Sequence, residues 1–368
     1  GGFVWSYLPD MSRTWGEMEA NRTMAWIQPP GTPAVGHLML DAYHATHDEY
    51  YYQCAEKIAN ALIWGQLPCG GWNYMFDFAG ENSIRQWYAT IGKNAWRLEE
   101  FQHYYGNATF DDEGTMQAAK FLLRLYVEKY NPAYRAPLEK TIRFVLESQY
   151  PIGCYQVLGM QDLKAPIMRA LNCVLALQQG APYAGWADQY TVTDLQPAHA
   201  RSYEPRSVNT GTTAHMVMKM LDYYRLTGDS KFLSGIPAAI RFLESMKLPE
   251  SEVKKWRRPV RENTILVPRF IDPESGTPLY VHRKGSNVKN GVYYVDQNIE
   301  KTIGHYSSAA YINIDALKEA YARTLTLSKE EVTKDSPLVQ DTCISLKKFY
   351  YQSHHRYGRK ETSAEVLI

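Results

Sequence analysis

The chain has 368 residues, 45% of them hydrophobic and 21% charged, with a formal net charge of +1. That length and apolar content support one large domain or two ordinary ones with a sizeable core. The balanced charge excludes a dominant electrostatic attraction to nucleic acid or to an anionic membrane surface, and no apolar run reaches the length of a membrane span.

In chain order, the first strong pattern is "VGHLMLDAYHATHDEYYYQCAEKIANALIWGQLPCGGW", which predicts a helix, a short break, a second helix and a Gly-rich loop. The same grammar returns in "MQAAKFLLRLYVEKYNPAYRAPLEKTIRFVLESQYPIG" and in "MVMKMLDYYRLTGDSKFLSGIPAAIRFLESMKLP". The breaks fall at "THD", "NPAY" and "TGDSKF", which are turn and cap signals. Tyr43 stands 27 positions before Gly70, and Tyr126 stands 27 before Gly153. Stacked two-helix units of this kind predict an all-α repeat or closed α/α toroid.

The register breaks once. Tyrosines near the ends of successive first helices are spaced by 83 residues (Tyr43 to Tyr126), then 29 (Tyr126 to Tyr155), then 69 (Tyr155 to Tyr224). The middle interval is too short for a loop and a helix of about 10 to 14 residues, so roughly 40 residues are expected to be missing between Gly153 and Cys154. The alternative is a deletion that fuses two units. After residue 264 the chain changes character: "TILVPRFIDPESGTPLYVHRKGSNVKNGVYYVDQN" has short β-like runs and Pro-Gly turns, which predicts an excursion over 264–305 packed on the helical body.

Five cysteines (Cys54, Cys69, Cys154, Cys173, Cys343) show neither a zinc pattern nor a disulfide framework. His44 and His47 lie three apart in "YHATH", with no third metal ligand in view, and read as surface or core histidines. Three residue sets point to chemistry. Asp111, Asp112 and Glu113 precede an apolar helix, where they either cap its N-terminus or offer oxygens to a hard cation such as Ca²⁺. Arg201, Tyr203, Glu204 and Arg206 lie in the proline-bounded "PAHARSYEPRS", which is either a salt-bridged turn or a carboxylate clamp, since guanidinium binds carboxylate through two parallel bonds. In "GGFVWSY", "CGGWNY" and "AGWADQY" an aromatic follows glycine after a second helix. Trp5, Trp72, Trp186 and Tyr190 therefore either line a common cleft or plug the core of each unit.

The motifs "SQYPIG", "LNCVLALQQGAPYAGWADQYTVTDLQPAHARSYEPRS" and "LDYYRLTGDSKFL" closely resemble the family 10 pectate lyases, the pectic acid lyase family. "NATFDDEGT" resembles that family's acidic segment, and "RFIDPESGTPLYVHRKG" its C-terminal arginine-bearing segment. The likeness runs from about Asn107 to about His305 and is strongest over Gln178–Ser207. It implies two regions: extra N-terminal helical units over 1–105, and a pectate-lyase-like toroid over 106–368. It also implies cleavage of polygalacturonate by β-elimination with Ca²⁺. Arg201 would sit at the reacting carbon, as base or as electrostatic stabiliser. Asp112 and Asp111 would hold the ion, Arg283 a substrate carboxylate, and Trp186 and Tyr203 would shape the cleft. Two departures stand out. Many relatives carry a different residue at Arg206, and the family's Gly-Trp-Pro-Gln and Asn-Asp-Asp stretches, the second expected to supply another calcium-binding acid, do not follow "YPIG". A pectin oligosaccharide is the expected partner, a monomer the expected state, and a periplasmic or secreted location follows by resemblance. The competing readings are a non-catalytic pectin-binding protein and a toroid glycoside hydrolase with two carboxylates.

Overall fold

Helix pairs dominate the chain, and each begins and ends where local chemistry requires. The computed structural model describes residues 1–92, 105–148, 164–256, 258–285, 292–304, 307–336 and 338–339. Helix α1 (Thr32–Thr46) starts after Gly31 with Pro33 in its first turn, where a missing N–H is harmless. It stops at His47, whose left-handed backbone (φ 58°) turns its N–H onto the Tyr43 carbonyl. Helix α2 (Glu49–Trp64) follows at once because the Asp48 carboxylate accepts from the Tyr50 N–H. The break at "THD" is thus one helix stop followed by one helix start. Helix α3 (Glu81–Thr90) comes next. Helix α4 (Gly114–Lys129) then ends at left-handed Tyr130 (φ 53°) on the Tyr126 carbonyl. Asn131 accepts from the Ala133 N–H, opening a 3-10 turn that leads into α5 (Arg135–Glu147).

Beyond α6 (Lys164–Ala176), helix α7 (Thr210–Thr227) repeats that ending. Gly228 (φ 67°) bonds to the Tyr224 carbonyl, and Asp229 accepts from the Lys231 N–H at the start of the short α8 (Lys231–Ser234). Helix α9 (Ile236–Ser245) completes the pair. Matching positions of the two pairs are 98 residues apart: Tyr130 and Gly228, Asn131 and Asp229, Phe144 and Phe242. Short α10 (Glu250–Lys255), then α11 (Ile314–Leu325) and α12 (Lys329–Thr333), follow.

The all-α expectation is wrong. Among the described residues eleven strands form four sheets. Strands β1 (Ser6–Tyr7), β2 (Thr14–Trp15) and β3 (Glu19–Ala20) make an antiparallel meander. Strand β4 (Met24–Trp26) pairs with β5 (Met75–Asp77), Ala25 opposite Phe76. Strand β6 (Val208–Asn209) leads into α7; β7 (Ile265–Pro268), β8 (Phe270–Ile271), β9 (Pro278–Lys284) and β10 (Val292–Asp296) fall inside the region read as β-like; and β11 (Ala309–Ile312) pairs back onto β7. One sheet runs in the order β10-β9-β8-β6. Most of these strands have two to five residues, too short for an alternating pattern to register.

The chain forms two compact units, one within residues 1–160 and one within 161–344. The core of the first gathers Ile27, Leu40, Tyr52, Trp72, Phe121 and Leu125; the core of the second gathers Trp186, Val217, Phe232, Phe242, Val267 and Leu317. One joint is built alike in both. The Trp72 N–H donates to Thr115 Oγ1 (3.1 Å) and its indole N–H to the Leu62 carbonyl (2.8 Å). The Trp186 N–H donates to Thr213 Oγ1 (3.0 Å) and its indole N–H to the Val174 carbonyl (2.9 Å). Near the N-terminus Thr32 Oγ1 clasps the Phe3 backbone, N–H and carbonyl both at 2.9 Å. The glycine before each tryptophan is required by close approach. A Cβ on Gly71 would lie 2.6 Å from the Phe144 ring, and one on Gly185 would lie 2.9 Å from Phe242 and strike Thr213. Gly185→Ala is therefore expected to destabilise the fold by about 1–3 kcal/mol by overpacking, read as a lower urea midpoint at unchanged slope.

Two sequence expectations end here. His44 Nε2 pairs with the buried Glu128 carboxylate at 2.7 Å and His47 closes α1, so the histidine pair serves packing and capping. The expected break between Gly153 and Cys154 lies outside the described residues.

Candidate active site

In the first unit the acidic segment makes a single 3-10 turn, Asp111–Glu113, ahead of α4. Neither the turn nor the helix receives a side-chain cap, so the capping reading fails. Asp112 (φ 48°) and Glu113 (φ 61°) instead occupy the left-handed region, a conformation retained where the surroundings impose it. The Tyr74 hydroxyl donates to Asp111 Oδ2 (2.7 Å) and lies 3.4 Å from Asp112 Oδ2, while Gln28 Nε2 donates to Asp112 Oδ2 (2.7 Å). The Asp112 N–H donates to Asp111 Oδ1 at 3.0 Å. Two carboxylates are thus held side by side by neutral donors, with Asp111 half-buried and Asp112 exposed. Their oxygen donors suit a hard cation, but among the described residues no group of three or more metal-ligating side chains converges. Trp72, in this same unit, is fully buried and presents no face for a sugar.

In the second unit the loop between α6 and α7 carries the arginines. Asn209 caps α7, accepting from the Gly211 and Thr212 N–H groups (2.8 and 3.1 Å), and donates Nδ2 to Asp188 Oδ2 (2.6 Å). Thr212 Oγ1 donates to the other Asp188 oxygen (2.5 Å). Tyr190 accepts the Ala187 N–H through its hydroxyl (2.6 Å), and burial pushes its phenol up to about 12. Arg201 sits in a tight turn. Its N–H donates to Glu204 Oε2 (3.1 Å), the Glu204 N–H donates back to the Arg201 carbonyl (2.8 Å), and Arg201 Nε stands 3.9 Å from that carboxylate. Both side chains are mostly enclosed, 20% and 14% exposed.

The structure sorts the remaining candidates. Arg206 donates to the Pro197 carbonyl (3.1 Å) and pairs with Glu274 (3.0 Å), which ties down both ends of the loop. Arg283 is exposed on β9, opposite Tyr293 of β10. Tyr203 is buried with its ring edge-on to Tyr293 at 5.3 Å, and Trp186 is 2% exposed, so these rings support the loop from beneath.

Arg269, between β7 and β8, escaped sequence reading. Its Nε is buried with no hydrogen-bond partner among the described residues, and burial lowers its guanidinium pKa against the opposing pull of Asp188 and Glu204. The one available signal was a charge inside the apolar run "ILVPRFI". Arg201 and Arg269 therefore share the field of the same carboxylate, Glu204, in a largely enclosed part of the unit.

Arg201, on the loop between α6 and α7, and Arg269, between β7 and β8, both lie in the part of the chain that resembles polysaccharide lyases. The family model of the pectic acid lyases matches residues 158–306, nearly all of them in the second unit. Two solved structures of a family 10 polysaccharide lyase from Cellvibrio cellulosa are similar to the chain at 15% identity, with TM-scores of 0.43 and 0.44. Each alignment covers 89% of this chain and 88% of that one, and the first is of a mutant in complex with trigalacturonic acid. No curated protein matches the chain. Among the described residues no helix is long and apolar enough to cross a membrane.

Proposed function

We propose that the chain is a Ca²⁺-dependent pectate lyase that cleaves polygalacturonate by β-elimination, working in the periplasm or outside the cell. The observation that carries this reading is the enclosed turn in which Arg201 Nε stands 3.9 Å from the Glu204 carboxylate, with buried Arg269 in the same segment, which matches the pectic acid lyase family. The chemical difficulty is the weak acidity of the C5 hydrogen. When it leaves as a proton, its bonding electrons form the C4–C5 double bond, and the bond from C4 to the glycosidic oxygen breaks with its pair going to that oxygen. Negative charge grows on the C6 carboxylate during this change. Preformed positive groups in a dry site stabilise it most where it grows. Arg269, whose buried Nε has no hydrogen-bond partner among the described residues, would take the C6 carboxylate. Arg201, oriented by its turn with Glu204, stands at C5 and steadies the developing charge. A guanidinium holds its proton with a pKa above about 12, so a base role for Arg201 belongs to alkaline conditions. Exposed Arg283 holds a uronate further along the chain. Asp111 and Asp112 would hold the calcium ion, which when bound supplies charge neutralisation of a substrate carboxylate.

A two-carboxylate hydrolase is disfavoured, since Asp111 and Asp112 share one tyrosine hydroxyl and cannot flank a bond from opposite sides. The test is incubation with polygalacturonate and calcium at alkaline pH. An ultraviolet-absorbing unsaturated product, abolished by chelator, is expected. New reducing ends without that absorbance identify a hydrolase, and binding without turnover identifies a non-catalytic pectin-binding protein; either overturns the proposal. Asp112→Asn is expected to raise the calcium concentration for half-maximal activity by about tenfold, the range for loss of one charged ligand contact, with maximal rate restored at high calcium.

A further inference from the structure

The first unit contains a cavity of about 210 Å³ away from the acidic turn, lined among others by Trp64, Phe76, Asn73, Asp77, Glu81 and Tyr105. Trp64, in its lining, and Phe78, beside Trp64, are 55% and 41% exposed. Their centroids lie 5.0 Å apart, and each lies against Phe76, at 5.6 and 5.1 Å. The rings therefore form a fixed platform. A charged occupant fits badly. The two carboxylates disfavour an anion, and neither is an unsatisfied charge seeking a cation. Asp77 accepts from the Ala79 N–H (2.9 Å), Ser83 Oγ (2.7 Å) and Asn21 Nδ2 (3.4 Å). Glu81 is engaged by Arg85 (3.1 Å) and by the Tyr105 hydroxyl. Burial raises the Asp77 carboxyl, but bonds from Thr23, Ser83, Ala79 and Asn21 outweigh it and hold the group ionised below the usual range. Asp77 is 4% exposed, so the exposed Glu81 carboxylate is the acceptor left on the wall of an aromatic recess.

We propose that this recess is a binding site for one neutral pyranose unit, separate from the uronate chemistry of the second unit. A pyranose matches it on both counts: its C–H face lies on an aromatic ring, and its hydroxyls donate to carboxylate and carbonyl oxygens. The volume suits a single ring rather than a chain segment. Such a site holds the protein on uncharged regions of a mixed polysaccharide while the charged regions are processed elsewhere.

Saturation-transfer NMR on the full chain tests this with three probes: methyl β-galactopyranoside, methyl β-glucopyranoside and sodium galacturonate. Transfer to ring protons of at least one neutral glycoside is expected, with Trp64→Ala weakening it roughly fivefold or more and Phe78→Ala acting likewise. Both rings are exposed, and an unchanged circular dichroism spectrum certifies that the variants fold. Lyase activity is expected to be the same in wild type and Trp64→Ala. No transfer from either neutral glycoside overturns the proposal, as does equal transfer in wild type and Trp64→Ala, or a galacturonate signal that depends on Trp64 as strongly as the neutral ones.

Discussion

Arg201→Ala is expected to lower the initial rate of unsaturated-product formation by about 100- to 1,000-fold, the usual loss when one preorganised charge-stabilising donor is removed. The loss should fall on kcat more than on KM, because the interaction strengthens as charge develops on the substrate. The turn should survive, since its backbone bonds between Arg201 and Glu204 do not need the guanidinium. Arg201→Lys separates two explanations. Lysine keeps the charge but loses the planar fork, so a rate close to that of alanine points to geometry, and a rate close to wild type points to charge alone. A rate for Arg201→Ala within tenfold of wild type at saturating substrate would sink the assignment.

Trp186→Ala is expected to destabilise the second unit by about 3–5 kcal/mol, the range for emptying a buried large aromatic site. The indole is 2% exposed, and the truncation also strands the Val174 carbonyl it bonds. A fall of roughly 10 °C in Tm follows for a unit of this size. Trp72→Ala is expected to do the same to the first unit, where the indole N–H meets the Leu62 carbonyl. Calorimetry with and without oligogalacturonate distinguishes a plug from a sugar platform. A plug lowers Tm in both conditions; a platform leaves the unliganded Tm in place and removes the ligand-induced shift. The buried geometry supports the plug.

The helix pairs were legible because each carries its own punctuation. The stops at His47, Tyr130 and Gly228 and the starts at Asp48, Asn131 and Asp229 are local events that need no tertiary context. The acidic turn and the arginine loop were legible for the same reason, as charged residues gathered in short segments. The strands were not. β6 and β8 have two residues each, and pairing across long sequence distance, Asn209 with Phe270, creates them. Burial was equally hidden. "GGW" and "AGW" read alike as a cleft wall or a plug, and only the close approach of Phe144 and Phe242 to the preceding glycines decides. Arg269 went unread because an arginine between two short apolar strands gains its meaning from Asp188 and Glu204, which lie more than sixty positions away.

The threonine clasp bears on ancestry. Thr32, Thr115 and Thr213 fasten equivalent joints, and the residue four places before each is Gln28, Asp111 and Asn209 in turn. A tandem-duplicated ancestor would have handed every copy the same fastener together with one editable neighbour. Amide, acid and amide at that neighbour change the charge presented just ahead of the fastener while the fastener itself stays a threonine.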